Sequence, residues 1–429
     1  ADEGVWKGWR RAAARGGGRG FERESGGGKK FLRFWICKIS SGGMNQPARP
    51  LSLPYLNRRI VAARGDAGLT QEELARRMGF KDRQTLAAIE AGQRRVGVEE
   101  LVSLMGATGK DMEYFTDPFR LVGEAGFSYR AHGTSDVAVD EFEQRVGGWL
   151  AMWRYLGTKR GEIPSALRQR LALNDRSTYE EAQEAGEQVA RDLELGPVPA
   201  ERLEAAIEEK LKILVLAVDT PEGVSGAAVQ LASGDAILTS RNDSAGRRSF
   251  DLAHELFHVL TWDSLPPERV DRENPSGTKA KRTEQLADNF AGALLIPAES
   301  VGQIWEARPP GMSDGEWLEA TARHFRVSVP ALFWRIVVLG YWQKKEQESL
   351  LGKVSSPDKV TKPAWFSRRY FERVVWGIEH GEVSLRRLLA ILGMELEEFR
   401  EYCEAHGIRV STSLPTNPGN LLPGKSARI

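Results

Sequence analysis

At about 150 residues per domain, a chain of 429 residues has room for roughly two to four folded units. Its formal charge of +1, with 28% charged and 41% hydrophobic residues, argues against a disordered chain, a bulk polyanion binder and a membrane-embedded protein. Two cysteines, Cys37 and Cys403, provide neither a disulfide framework nor a cysteine-rich zinc site, which suits a reducing, cytoplasmic compartment. No apolar run reaches the ~18 residues of a membrane span.

Residues 1–43 contain eleven glycines, ten Lys/Arg and four Asp/Glu and show no hydrophobic period; Met44 follows. This stretch reads as a disordered or non-native lead, the alternative being a basic arm that touches DNA. The remainder carries 50 Lys/Arg against 55 Asp/Glu, a charge of −5, so any nucleic-acid site must be local.

Residues 44–120 read as an all-helical domain, with glycines at 65, 68, 79 and 92 between short amphipathic stretches and Asp117-Pro118 closing it. Thr70-Gln71-Glu72-Glu73 is a capping box, Leu74, Ala75 and Met78 face inward, and Gly79 ends the helix. Asp82 caps the next helix, which buries Leu86 and Ile89 and leaves Arg83, Gln84 and Ala88 on its outer face. The string Leu69-Thr70-Gln71-Glu72-Glu73-Leu74-Ala75, then Gly79, then Ile89-Glu90-Ala91-Gly92, resembles the phage-repressor (XRE) type of helix-turn-helix. That resemblance implies that Arg83 and Gln84 read bases, Ala88 meets a thymine methyl, and Gln71, Arg94 and Arg95 hold phosphates. Nine basic residues against five acidic ones over 55–95 agree with a modest phosphate footprint. A bundle that binds protein rather than DNA is the competing reading.

Residues 121–194 read as a helical connector, in which Val146, Trp149, Trp153 and Leu156 form a core stripe. A helix over Ala200–Lys212 precedes three apolar strand candidates, Ile213–Val218, Gly226–Leu231 and Ala236–Thr239; the last two flank a Ser233-Gly234-Asp235 turn. Next comes Leu252-Ala253-His254-Glu255-Leu256-Phe257-His258. Two imidazoles four residues apart share one helical face and can approach a single Zn²⁺, while Glu255, about 100° away, can reach water at that metal. With six histidines in the chain, an accidental H-E-x-x-H has a chance on the order of 1%, so the motif is read as a metal site.

A third ligand must come from elsewhere. In Thr283–Pro297, a helix with the small-residue stripe Ala287, Phe290, Ala291 and Leu294, Glu284 lies on that same stripe. A carboxylate among core positions is costly unless paired or metal-bound, which favours Glu284 over a merely solvated residue of the first helical turn; Asp288 is the fallback. The run Arg248–His258 followed by Glu284-x-x-Ala287-x-x-Phe290-Ala291-x-x-Leu294-Leu295-Ile296-Pro297, with Gly226, Asn242 and Arg335, resembles the ImmA/IrrE family of zinc metallopeptidases over about residues 195–342. It implies His254, His258 and Glu284 as zinc ligands and Glu255 as general base. Phe257 stands where that family usually has glycine.

The expected fold is α+β and mostly helical: a helix-turn-helix domain, a zincin-like minimal metallopeptidase domain of a small sheet plus helices over 195–342, and a helical C-terminal tail. A polar linker spans 343–362, a helical module 363–410 and a frayed end 411–429. The expected function is a DNA-associated zinc endopeptidase acting on a repressor-type protein in a stress, mobile-element or toxin-antitoxin response. Its partners would be operator DNA and that protein substrate, with no membrane and with a homodimer left open. Cleavage is expected in trans; in cis, the candidate segments are Arg130–Asp136 and Trp262–Lys281. The competing class is a transcriptional regulator or antitoxin whose peptidase-like domain is a non-catalytic sensor or dimer module. A retained His254, Glu255, His258 and Glu284 set favours the enzyme.

Overall fold

A computed structural model describes residues 55–409 except 124, 132–134, 163–169, 232–233, 268–269, 272–277, 344, 346–347 and 354–361. The lead 1–43 and the end 411–429 therefore lie outside the described residues. In chain order the elements begin with α1 (Leu56–Asp66), α2 (Gln71–Arg77), α3 (Arg83–Glu90), α4 (Val98–Thr108) and α5 (Met112–Thr116). Strand β1 (Ala125–Ala131), α6 (Asp136–Lys159) and α7 (Tyr179–Asp192) follow, then β2 (Leu214–Val218), β3 (Val224–Leu231) and β4 (Gly234–Ser240). The rest are α8 (Ala245–Thr261), β5 (Val270–Asp271), α9 (Thr278–Leu295), α10 (Ala298–Glu306), α11 (Asp314–Phe325), α12 (Val329–Val338), α13 (Arg368–Glu379), α14 (Leu385–Leu392) and α15 (Leu396–Ala405). The described residues are thus mostly helical, with one small mixed sheet. Among the described residues, no helix is long and apolar enough to cross a membrane.

Two compact units emerge, one of residues 55–125, 136–162 and 366–409, the other of 126–135 and 170–365. In the first, α2 begins at the expected capping box, with Thr70 Oγ1 accepting from Glu73 N and the Glu73 carboxylate accepting from Thr70 N. Asp82 caps α3 through Thr85 N. Leu74, Leu86 and Ile89 close the core with Ile60, Leu104 and Phe115. The stripe on α6 is core as well: Val146, Trp149 and Leu156 are buried. Their cover comes from the far end of the chain. Trp149 Nε1 donates to Ile391 O at 2.9 Å, Tyr370 Oη donates to Trp149 O at 3.0 Å, and the Arg373 guanidinium lies over the Trp153 ring while donating to Trp153 O. The C-terminal helices therefore complete a core with α6, a role that their local sequence does not disclose.

In the second unit the strand order is β2-β4-β3-β1-β5. Strands β2 and β4 run parallel from Leu214↔Ala236 to Val218↔Ser240, and β3 and β4 antiparallel from Gly226↔Thr239 to Leu231↔Gly234. Of the expected turn Ser233-Gly234-Asp235, Gly234 and Asp235 already belong to β4, paired with Leu231 and Gln230, and Ser233 lies outside the described residues. The sheet also holds two strands beyond the three expected. Strand β1 falls in the stretch read as a helical connector; Gly126-Phe127-Ser128-Tyr129 alternates small and aromatic residues, a period of two that suits a strand. The helix expected over Ala200–Lys212 is preceded by a 3₁₀ turn at Pro199–Glu201 and runs over 203–211, widening from α to π geometry at Ile207 before it closes at Lys212, whose φ is +60°.

Helices α8 and α9 sit in the main core, where Phe250, Leu256, Phe257, Leu286, Phe290 and Leu294 are all buried. Phe257 packs toward Phe290, ring centroids 5.6 Å apart, so the larger residue is absorbed by the α8–α9 seam. Helix α7 packs so closely on α9 that a Cβ at Gly186 would lie 2.4 Å from Phe290 O and 3.0 Å from Leu294 N. Both atoms are backbone, so no rotamer change relieves the contact. Gly186→Ala should lower stability by about 1–3 kcal/mol, despite the better helix propensity of alanine. Urea unfolding checks this, and an unchanged midpoint would contradict the packing.

Candidate metal centre and nucleic-acid interface

Ser244 caps α8, accepting from Arg247 N, and Arg247 Nε donates to the buried Asp251 carboxylate at 3.1 Å one turn on. Thirteen of the seventeen residues of α8 are buried, His254, Glu255 and His258 among them. Helix α9 crosses it with the small residues Ala287 and Ala291 inward, which allows a close approach and brings Glu284 in from the neighbouring helix.

The His254, His258 and Glu284 ligand atoms all lie within 4.8 Å of one another. His254 Nε2 is 3.0 Å from Glu284 Oε2 and 3.1 Å from His258 Nε2, and His258 Nε2 is 3.3 Å from Glu284 Oε1. A tetrahedral zinc with Zn–N and Zn–O bonds near 2.0–2.1 Å spaces its donors by about 3.3 Å, so the two nitrogens and the two oxygens of the Glu284 carboxylate already stand at separations close to those such an ion requires. Their chemistry agrees. With His254 Nδ1–H donating to Asp288 Oδ1 at 3.1 Å, its Nε2 presents a lone pair, and that lone pair converges with a carboxylate oxygen and a second imidazole nitrogen. A cation at the centre satisfies all three. Burial opposes charge on Glu284, but His258 and His254 outweigh it and hold this carboxyl well below the usual carboxylate range.

The pattern-based choice of Glu284 is thus brought into the cluster. Asp288, the fallback ligand, lies on the far side of His254, its Oδ1 3.1 Å from Nδ1, the position from which a carboxylate orients a metal-binding imidazole. Glu255 is buried beside β3: a Cβ at Gly226 would be 3.2 Å from both Glu255 Cγ and Glu255 Oε1, so glycine there leaves room for the carboxylate.

Sequence reasoning missed the support behind α9. Tyr179 Oη donates to Gln285 Oε1 at 2.6 Å, Gln183 Nε2 donates to Asn289 Oδ1 at 3.0 Å, and Asn289 donates to Gln285 O. Arg335, buried on α12, donates to Gln183 Oε1, Glu187 Oε1 and Ile296 O. Burial pushes its guanidinium down to about 10, so it stays charged at neutral pH. The signal was a matched spacing of four: Tyr179, Gln183 and Glu187 on α7, Gln285 and Asn289 on α9.

In the other unit, α3 presents Arg83 and Gln84 to solvent at its N-terminal end, with Ala88 half-buried one turn on. Arg95 is exposed. Gln71 and Arg94 are engaged inside the domain. Gln71 Nε2 donates to Glu90 Oε2 at 2.7 Å, beside Arg64 Nε on Glu90 Oε1, which ties the start of α2 to the end of α3. Arg94 makes a two-pronged pair with Glu100 and lies over the Phe80 ring. A phosphate contact from either must share or replace these bonds.

Residues 60–115 match the helix-turn-helix family model and residues 208–336 match the model of the IrrE N-terminal-like domain. No curated protein matches the chain. The chain therefore joins an N-terminal XRE-like helix-turn-helix domain to an IrrE/ImmA-like peptidase domain, whose His254, His258 and Glu284 form a cluster consistent with the zinc site of a metalloendopeptidase.

Proposed function

We propose that the protein is a DNA-associated zinc endopeptidase of the cytoplasm that cleaves a separate, repressor-type regulatory protein in a stress, mobile-element or toxin-antitoxin response. The observation that carries the enzymatic reading is the convergence of His254, His258 and Glu284 with the acid Glu255 retained next to a ligand. A sensor or dimer module of the same fold has no chemical use for a base at that position.

Zinc held by these three residues would act as a Lewis acid toward a peptide carbonyl and a water molecule. Glu255 takes the proton of the attacking water and delivers it to the departing amine, a transfer favoured by its place one residue from His254 on a rigid buried helix. Asp288 accepts from His254 Nδ1, so that Nε2 stays unprotonated and directed at the cluster. Incubation of the chain with zinc and a candidate repressor, followed by intact-mass measurement, tests the reading. Two product masses that sum to the repressor plus water support it. Cleavage equally fast in Glu255→Gln would end it.

On the DNA side, Arg83 and Gln84 read base edges of an operator and Arg95 holds a phosphate; Gln71, Arg94 and Ala88 complete the contact set. Arg83→Ala or Gln84→Ala should each cost about 1–3 kcal/mol and relax specificity at one base pair, whereas Arg95→Ala should weaken all sequences alike. Selection from a random duplex pool, then titration at physiological salt, measures both. Unaltered binding by the Arg83/Gln84 double variant would favour the competing view of a protein-binding bundle.

A further inference from the structure

Strand β3 is the strand that touches the acid of the centre, through Gly226 against Glu255. One side of β3 is filled by β4 over six register pairs. Its other side is filled by β1, residues 125–131 of the same chain, beyond which, among the described residues, the sheet continues as the two residues of β5. Peptides commonly bind proteins by adding a strand to a sheet, with main-chain bonds giving affinity and alternate side chains giving selectivity. Beside β3, the place for such a strand is held by the chain itself.

The side chains of β1 are matched to that place. Gly126 and Ser128 share one face and Phe127 and Tyr129 the other. The two rings stack at 5.6 Å with planes 6° apart, and both are buried. On the opposite face a Cβ at Gly126 would be 2.8 Å from Trp262 Cζ2, at the end of the helix that carries both histidines. The groove beside β3 thus admits alternating small and aromatic residues.

We propose that β1 is an internal pseudosubstrate: a substrate strand pairs with β3 in place of residues 125–131 and is selected for the same alternation of small and aromatic residues. The proposal rests on the reading of the cluster as a peptidase centre and adds to it the class of substrate and a competition within the chain. Displacing β1 breaks its ladder to β3 and the pairs Tyr129↔Val270 and Arg130↔Asp271. An incoming strand remakes the first of these.

The test uses the zinc-loaded full chain carrying Glu255→Gln, so that binding is read without hydrolysis. The probe is a fluorescein-labelled peptide with the sequence of residues 122–134, and the control peptide has serine at the positions of Phe127 and Tyr129. Adding Ser128→Pro to that chain removes an amide from the middle of β1. It should tighten binding of the probe by about tenfold or more, because the fraction of molecules with the place beside β3 closed no longer weakens the apparent affinity. The control peptide should bind neither chain well. Equal affinity of the two chains, or of the two peptides, would overturn the proposal. Should Ser128→Pro fail to fold, amide exchange in the parent chain decides. Probe at about millimolar concentration should speed exchange at residues 126–129 and leave 224–231 protected, and unchanged exchange at 126–129 would overturn it. Neither readout depends on cleavage, so failure of the peptidase reading itself would show separately, as absent hydrolysis by the unsubstituted chain.

Discussion

The purified chain should bind about one equivalent of Zn²⁺, and His254→Ala or Glu284→Ala should abolish that binding. Two protein ligands cannot close three corners of a tetrahedral site, and the loss should exceed the roughly 10–100-fold weakening that follows removal of an outer hydrogen-bond partner. Asp288→Asn provides that comparison within the same centre. It keeps all three ligand atoms and replaces a carboxylate partner of His254 Nδ1 by an amide, so zinc should be held more weakly but still held. Competition with a chromophoric chelator measures all three variants. The assignment of Glu284 requires this order; full affinity in Glu284→Ala would transfer the ligand role to another acid, with Asp288 the next to test.

Glu255→Gln should separate binding from chemistry. The ligand set is intact, so zinc content should match that of the parent chain, while turnover of a protein substrate should fall by about 10²–10⁴-fold, the usual contribution of a positioned general acid–base group. Glutamine is nearly isosteric, and beside Gly226 it meets no new backbone contact. A loss of zinc in this variant would place Glu255 among the ligands. A retained rate would remove it from the reaction.

Much of the centre is readable without coordinates because its geometry is local. Four residues of helix place His254 and His258 on one face in any α-helix, and the capping box at Thr70 and the cap at Asp82 are fixed by three-residue spacings. Glu284 is thirty residues from His254, yet its position could be read from physical cost. An acid on a stripe whose other members are fully buried needs a partner, and a metal is the partner that H-E-x-x-H supplies. Gly186 is the opposite case. Its helix is amphipathic and capped at Thr178 in the ordinary way, and only the backbone of α9 lying against it shows why no side chain is tolerated there.

The sequence alone determined a unit of short capped helices, whose residues resemble the phage-repressor helix-turn-helix, and a cluster of two histidines and a glutamate consistent with a zinc site, because caps and helical faces are written in short-range spacing and Glu284 in the cost of burying charge. Tertiary structure decided the rest. The crossing of α8 and α9 decided which of the two acids meets which ring nitrogen of His254, Asp288 lying at Nδ1 and Glu284 at Nε2. The C-terminal helices became part of a core because they bring Ile391, Phe366, Tyr370 and Arg373 onto Trp149 and Trp153 of α6. Strand β1, whose small–aromatic alternation is visible in the chain, acquired its place next to β3 through strand pairing between segments about a hundred residues apart. Such pairing is specified by which apolar faces remain to be buried after the local elements have formed, and that is a property of the assembled molecule rather than of any one stretch of it.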